Sequence, residues 1–263
     1  MTRFIRAEIV KRVAYLTIDR PESHNAVTLD MWEEMARSLA TLLARDPAVL
    51  VVSGVPGHFA AGADIKEFHA TRSTREASRR SFLAVDSLCR SLTEAPVPVI
   101  AAIEGYAIGA GLELSCACDI RLASADSRLG ITASKLGITV GREHIRRLIG
   151  VVGAAHALDL LTTGRLVTAA EAYHMGLVTE VVSPGKLPER LKDWVDRYGQ
   201  RAPLSLAWAK QAVYGILADP HLDWVRDDAE ESIDCFETEN FREAVRAFQE
   251  HRPPKFRGKG GRL

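Results

Sequence analysis

The spacing of apolar residues changes several times along the chain. "FIRAEIV" and "VAYLTID" alternate or run apolar on either side of Lys11 and Arg12, which predicts two strands joined by a turn. After the polar stretch "RPESHNAVT", Met31, Met35, Leu39 and Leu42 recur at helical spacing, with Thr28 or Asp30 placed to cap the helix. "AVLVVSG" and "VPVIAAIEG" are continuous apolar, β-branched runs that end in glycine, as suits strands buried on both faces. Each run leads into a small-residue loop and a helix. "VPGHFAAGADIKEF" enters a short helix near Asp64, followed by a long one over roughly 75–94. "AIGAGLELSCAC" opens a second short helix before the strand "DIRLAS". A loop past the carboxyl end of a strand is where ligands bind in α/β sheets.

From about residue 141 the pattern turns helical. "EHIRRLIGVVGAAHALDLLTTG" predicts two helices divided near Gly150–Gly153, and "TAAEAYHMGLV" a capped helix that stops at Gly176. "VTEVV" reads as a short strand. Further helices run from about Leu187 to Glu250, punctuated by Pro184, Pro203, Pro220 and the Pro253–Pro254 pair. The expected organisation is an α/β core over 1–200 and a helical carboxyl-terminal part over 201–263.

Composition narrows the class. The 263 residues carry a formal net charge of zero, with 47% hydrophobic and 26% charged residues, as in an ordinary soluble globular protein. Balanced charge gives no reason to expect nucleic acid or an anionic membrane as partner. The amino terminus is broken by charges, and no run approaches a membrane span. Cys89, Cys116, Cys118 and Cys235 form no CxxC pair, and no His cluster stands at metal-ligand spacing. The expectation is therefore reduced, buried thiols in a cytoplasmic protein, with no metal. The basic tail "KFRGKGGRL" reads either as a solvated end or as a weak contact for a polyphosphate ligand or a neighbouring subunit.

Common motifs are missing. "GAGLEL" has Leu114 where a dinucleotide fingerprint needs its third glycine, and neither a P-loop nor a GxSxG elbow occurs. What remains is the pair of small-residue loops. An enolate or tetrahedral oxyanion needs two backbone N–H donors aimed at one oxygen. Glycine and alanine allow that close approach, and a helix start adds its positive end. Glu113, a few residues into the helix, is a carboxylate among small apolar residues, costly unless it is paired, exposed or used.

"FAAGADIKEF" (59–68), "PVIAAIEGYAIGAGLELSCACDIRLAS" (98–124) and "LLTTGRLVTAAEAYHMGLVTEVV" (160–182) closely resemble the crotonase family of enoyl-CoA hydratases and isomerases. "RPESHNAVT" and "FREAVRAFQEHRPPKF" match its ends, so the resemblance covers essentially the whole chain. It implies an α/β fold, a crotonase-like spiral of ββα units with a helical carboxyl-terminal region that makes trimers, often paired into hexamers. It implies an acyl-CoA thioester substrate and no metal or redox cofactor, coenzyme A being part of the substrate. The thioester oxygen would sit between the N–H groups of Ala63 and Ala110, the latter standing where the family usually has glycine. His24, Ala26, Ala61, Asp64, Ile65 and Lys66 become candidate CoA contacts, with His24 and Lys66 equally readable as solvated loop charges.

Glu113 aligns with the first of the family's two catalytic glutamates, and Ala133 occupies the place of the second. Several readings follow. A one-carboxylate enzyme moves a single proton, as an isomerase, a decarboxylase or a C–C bond hydrolase. A hydratase draws its second group from Arg142, Glu143 or His144, where the family has small residues; Glu143 or His144 is the candidate acid, and Arg142 or His144 a candidate contact for a polar acyl tail. The bland alternative is helix capping and surface charge. A third reading is a member that binds acyl-CoA without catalysis. Thr132 reads as a turn hydroxyl, Asp119 and Arg121 as fixing the strand after the catalytic helix, and Tyr106 as packing near the CoA channel. Cys116 and Cys118 read as unreactive, and His156, His174 and His221 as packing or surface residues.

Overall fold

The computed structural model describes residues 4–55, 57–218 and 235–257. Pro220, His221 and the end of the basic tail lie outside them. Strands β1 (Ile5–Val10) and β2 (Val13–Ile18) form the expected hairpin. β3 (Val49–Gly54) and β4 (Val99–Ile103) add to it in parallel, and both apolar runs are buried as their composition requires. β5 (Tyr106–Ile108) leaves this sheet, β6 (Ile120–Ser124) rejoins it, and β7 (Arg128–Gly130) leaves again to pair with β5. β8 (Val167–Thr168) completes the smaller sheet, and β9 (Glu180–Val182) the edge of the larger one. The orders are β1-β2-β3-β4-β6-β9 and β5-β7-β8.

Helix α1 (Leu29–Leu43) starts at Thr28, whose side chain accepts the Met31 N–H, and it buries the four apolar residues of its stripe; Asp30 lies in its first turn. After the "AAGAD" loop come α2 (Phe68–Thr71) and α3 (Arg75–Thr93). α4 (Ala110–Cys116) follows β5, and α5 (Arg142–Thr163) follows β7. The units β4–β5–α4 and β6–β7–α5 thus each place one strand in each sheet and then a helix. α5 breaks direction at Gly153, where φ is +74°, within the division expected from sequence. The remaining described helices are α6 (Ala169–His174), α7 (Leu187–Gly199), α8 (Pro203–Ala218) and α9 (Glu239–Gln249). Among the described residues, no helix is long and apolar enough to cross a membrane.

Two polar anchors set the position of α4. Arg121 donates to the carbonyls of Leu177, Ser115 and Cys118 at 2.8, 3.2 and 2.6 Å, which fixes the carboxyl end of α4 to β6. Asp119 accepts the Val99 N–H at 2.7 Å and pairs with buried Lys210 of α8 at 3.0 Å. Lys210 also donates to the Leu92 and Val97 carbonyls, so its desolvated ammonium has all three donors engaged.

The three short strands of the smaller sheet were not expected from sequence. With two or three residues each, they are too short to show a period of two.

Candidate active site

The two small-residue loops are stitched together by backbone. Ala60 N–H donates to Tyr106 O at 2.8 Å and Ile108 N–H to Ala60 O at 3.0 Å, while Gly109 N–H reaches Gly130 O at 2.8 Å. On the far side of the first loop, Val27 N–H donates to Gly62 O and Asp64 N–H to Val27 O. That bridge uses the groups flanking Ala63 and leaves the Ala63 N–H for the cleft. Ala110 is the first residue of α4, so its N–H has no partner within the helix. Gly62 lies between the loops at φ +100°. A Cβ there would stand 2.7 Å from Ile108 O and 3.5 Å from Ala110 N. Gly111 has the same role for the helix, since its Cβ would meet Ala60 O at 2.3 Å. Small residues are thus what let the two donors come together.

Ala63, Ala110 and Glu113 line one cleft. Glu113 stands one turn into α4 with its side chain 13% exposed. Burial pushes its carboxyl up from 4.5 to about 7, against the opposing charges of Arg147 and Arg72. Across from it, His144 Nδ1 lies 3.6 Å from Glu113 Oε2 on a side chain only 2% exposed, and this nitrogen has no hydrogen-bond partner. Burial and the Arg147 charge hold the imidazole down at about 4, so it is neutral at pH 7. At 3.6 Å the two groups do not bond directly, but one water within reach of both can bridge them. Ala133 and Thr132 also line the cleft.

The residues singled out from sequence divide. Ala61, Ala63, Ile65, Ala110, Glu113 and His144 meet in the cleft. Arg142 is exposed, and Glu143 turns away to pair with Arg146 at 3.0 Å; neither lines the cleft. The Arg146 hydrogen bond holds the Glu143 carboxyl below its usual range, the opposite of what a proton donor needs. Asp64 is buried, accepting Arg20 Nη1 at 2.7 Å and the Lys66 N–H at 3.0 Å, so its carboxylate serves the loop. The same Arg20 guanidinium bonds Ala26 O at 3.0 Å. His24 bonds His58 at 2.8 Å between their ring nitrogens, and His58 stacks on Tyr106; Lys66 is exposed. Burial pushes the Cys118 thiol up to about 12 and raises Cys116 as well, as unreactive thiols require.

One wall of the cleft was missed from sequence. α2 and α3 contribute Phe68, Arg72, Ser81, Phe82 and Val85. Their only sequence signal was the amphipathic spacing of α3, which marks an inner face but not what that face meets. Among the described residues, no group of three or more His, Cys, Asp or Glu side chains is arranged to hold a metal ion.

The family model for enoyl-CoA hydratase/isomerase matches residues 8–259. The chain is 33% identical to (E)-benzylidenesuccinyl-CoA hydratase of Thauera aromatica over 97% of this chain and 99% of that protein. It is 34% identical to short-chain-enoyl-CoA hydratase of Clostridium acetobutylicum over 92% of each. The crystal structure of an enoyl-CoA hydratase/carnithine racemase from Magnetospirillum magneticum has a TM-score of 0.92 at 31% identity, covering 98% of this chain and 96% of that one. The ββα units described above are therefore those of the crotonase fold. Both small-residue loops and the carboxylate between them fall inside the matched region, and the chain belongs to the enoyl-CoA hydratase/isomerase family of acyl-CoA enzymes.

Proposed function

We propose that the enzyme adds water across the double bond of a 2-enoyl-CoA with Glu113 as its only proton-transferring carboxylate. One observation carries this reading: a buried carboxyl titrating near neutrality faces an unpartnered His144 nitrogen at 3.6 Å, beside two free backbone N–H groups. Ionised Glu113 takes a proton from the bridging water, and the hydroxide oxygen bonds to the β-carbon. The double-bond electrons pass to the thioester, whose oxygen becomes an enolate held by the Ala63 and Ala110 N–H groups. Glu113 then returns the same proton to the α-carbon. Water is added, and no second acid is consumed. His144, neutral, positions the water. CoA runs along the loops that carry His24, Ala26, Ala61, Asp64, Ile65 and Lys66, and the active form is a homotrimer or a pair of trimers.

Ala133 favours a second reading, in which Glu113 shuttles a proton between the α- and γ-carbons and the enzyme is an isomerase. Assaying 2-enoyl-CoA and 3-enoyl-CoA side by side separates the two. Hydration of the first, lost in Glu113→Gln, is the expected result. Isomerisation without hydration would install the second reading. Binding without turnover of any thioester would make the chain an acyl-CoA-binding protein.

A further inference from the structure

Apart from Glu113 and His144, the cleft lining holds one ionisable side chain among the described residues, Arg72. Its backbone caps α2, with its N–H on Phe68 O at 2.8 Å, and its guanidinium lies over the Phe68 ring, 4.9 Å from the centroid. Among the described residues this guanidinium makes no hydrogen bond and no ion pair. On the neighbouring helix Arg80 forks onto Glu33 at 2.7 and 2.9 Å and Arg90 meets Asp86 at 3.3 Å, while Arg75 and Arg79, like Arg72, have no such partner among the described residues but do not line the cleft. Arg72 lines the cleft from its exposed rim, with its guanidinium on Phe68. Phe68, Phe82 and Val85 offer a hydrocarbon wall beside it, and Ser81 and Thr139 offer hydroxyls.

A purely aliphatic acyl chain in this cleft would offer that guanidinium no acceptor. A carboxylate would accept two of its N–H groups in the fork geometry that arginine presents. We propose that the substrate's acyl group carries a carboxylate of its own, bound by Arg72. The substrate class is thus a CoA thioester of an unsaturated dicarboxylic acid, an inference that rests on the acyl-CoA reading above. The alternative source of anionic oxygen is a CoA phosphate. Arg72 lines the same cleft as Glu113 and its charge bears on that carboxylate, which favours the reacting end over the nucleotide end.

Calorimetric binding of saturated thioesters tests this without turnover. Succinyl-CoA is expected to bind the wild-type protein roughly tenfold or more tightly than butyryl-CoA, or than the methyl ester of succinyl-CoA, as a charge-assisted hydrogen bond implies. Arg72→Gln should collapse that ratio toward unity, and Arg72→Lys should keep part of it. Glu113→Gln should retain the preference, so a failure of the hydration mechanism leaves this reading standing and separately measurable. Equal affinities in the wild type would overturn the proposal without any variant. A loss in Arg72→Gln that is equal for both thioesters would assign Arg72 to a CoA phosphate, and that too would overturn it.

Discussion

Between pH 4.5 and about 7 the folded chain keeps a proton on Glu113 that the unfolded chain has released. Stability contributed at this site therefore falls as pH rises through that window, and the full cost applies above it. At about 1.4 kcal/mol per pKa unit that cost is on the order of 3 kcal/mol. Glu113→Gln is accordingly expected to be more stable than wild type by that order at pH 8, with the difference vanishing near pH 4.5. Denaturant midpoints that coincide at pH 8 would show a well-hydrated carboxylate instead. Since the ionised form is the base, kcat/KM should rise with pH through about 7, and Glu113→Gln should lower kcat by roughly a hundredfold or more. His144 makes a different prediction because it is neutral across this range. His144→Leu should lower hydration roughly tenfold or more and leave the rising limb where it is. His144→Asn, which returns a polar atom near the Nδ1 position, should recover part of the rate. A limb that moves with the substitution would make His144 the titrating base.

At the level of elements, sequence pattern and structure agree where burial forces the pattern. The runs in β3 and β4, the α1 stripe behind Thr28 and the break in α5 at Gly153 were all legible, because each has a local physical cause. The loops and Glu113 were legible through the same logic of small residues and one costly charge. What escaped was relative placement. Arg142, Glu143 and His144 are consecutive on a helix and so point about 100° apart. His144 shares the inner face with Arg147 and Leu148, and Glu143 instead meets Arg146. Arg72 and Phe82 escaped for a similar reason: a helical period says that a face turns inward, not which cleft it lines. The loop pair itself is testable at Gly62. In Gly62→Ala the positive φ alone costs about 1–2 kcal/mol, and the new methyl meets Ile108 O at 2.7 Å. Stability should drop by about 2 kcal/mol in urea, and kcat should fall by more than KM rises, because the loops must part where the enolate oxygen would sit. A normal kcat would remove the Ala63–Ala110 pair from the mechanism.

For the molecule as a whole, α8 poses the remaining question. Its sequence, "PLSLAWAKQAVYGILA", is apolar nearly all round, yet Lys210 is its one buried residue. Val213, Ile216 and Leu217 are 55, 51 and 44% exposed. α9 repeats the theme with Phe241, Val245 and Phe248, spaced at i, i+4 and i+7 and 39, 41 and 82% exposed. A helix tied down by a few polar contacts, with an uncovered apolar face, lacks the packing that stabilises helices in water. Covering these faces with copies of the same chain supplies it, which is the physical content of the proposed trimer. Sedimentation should then find three chains of 28.8 kDa in one particle, or six if trimers pair. Ile216→Asp and Phe248→Asp each place a charge in the contact and should shift the particle toward single chains with a lower, concentration-dependent Tm. Because Lys210 of α8 also holds Asp119, at the end of the strand–helix unit that carries Glu113, loss of assembly should reach the active site and lower kcat. A monomeric wild type with full activity would leave these faces to another partner and would break that link between assembly and catalysis.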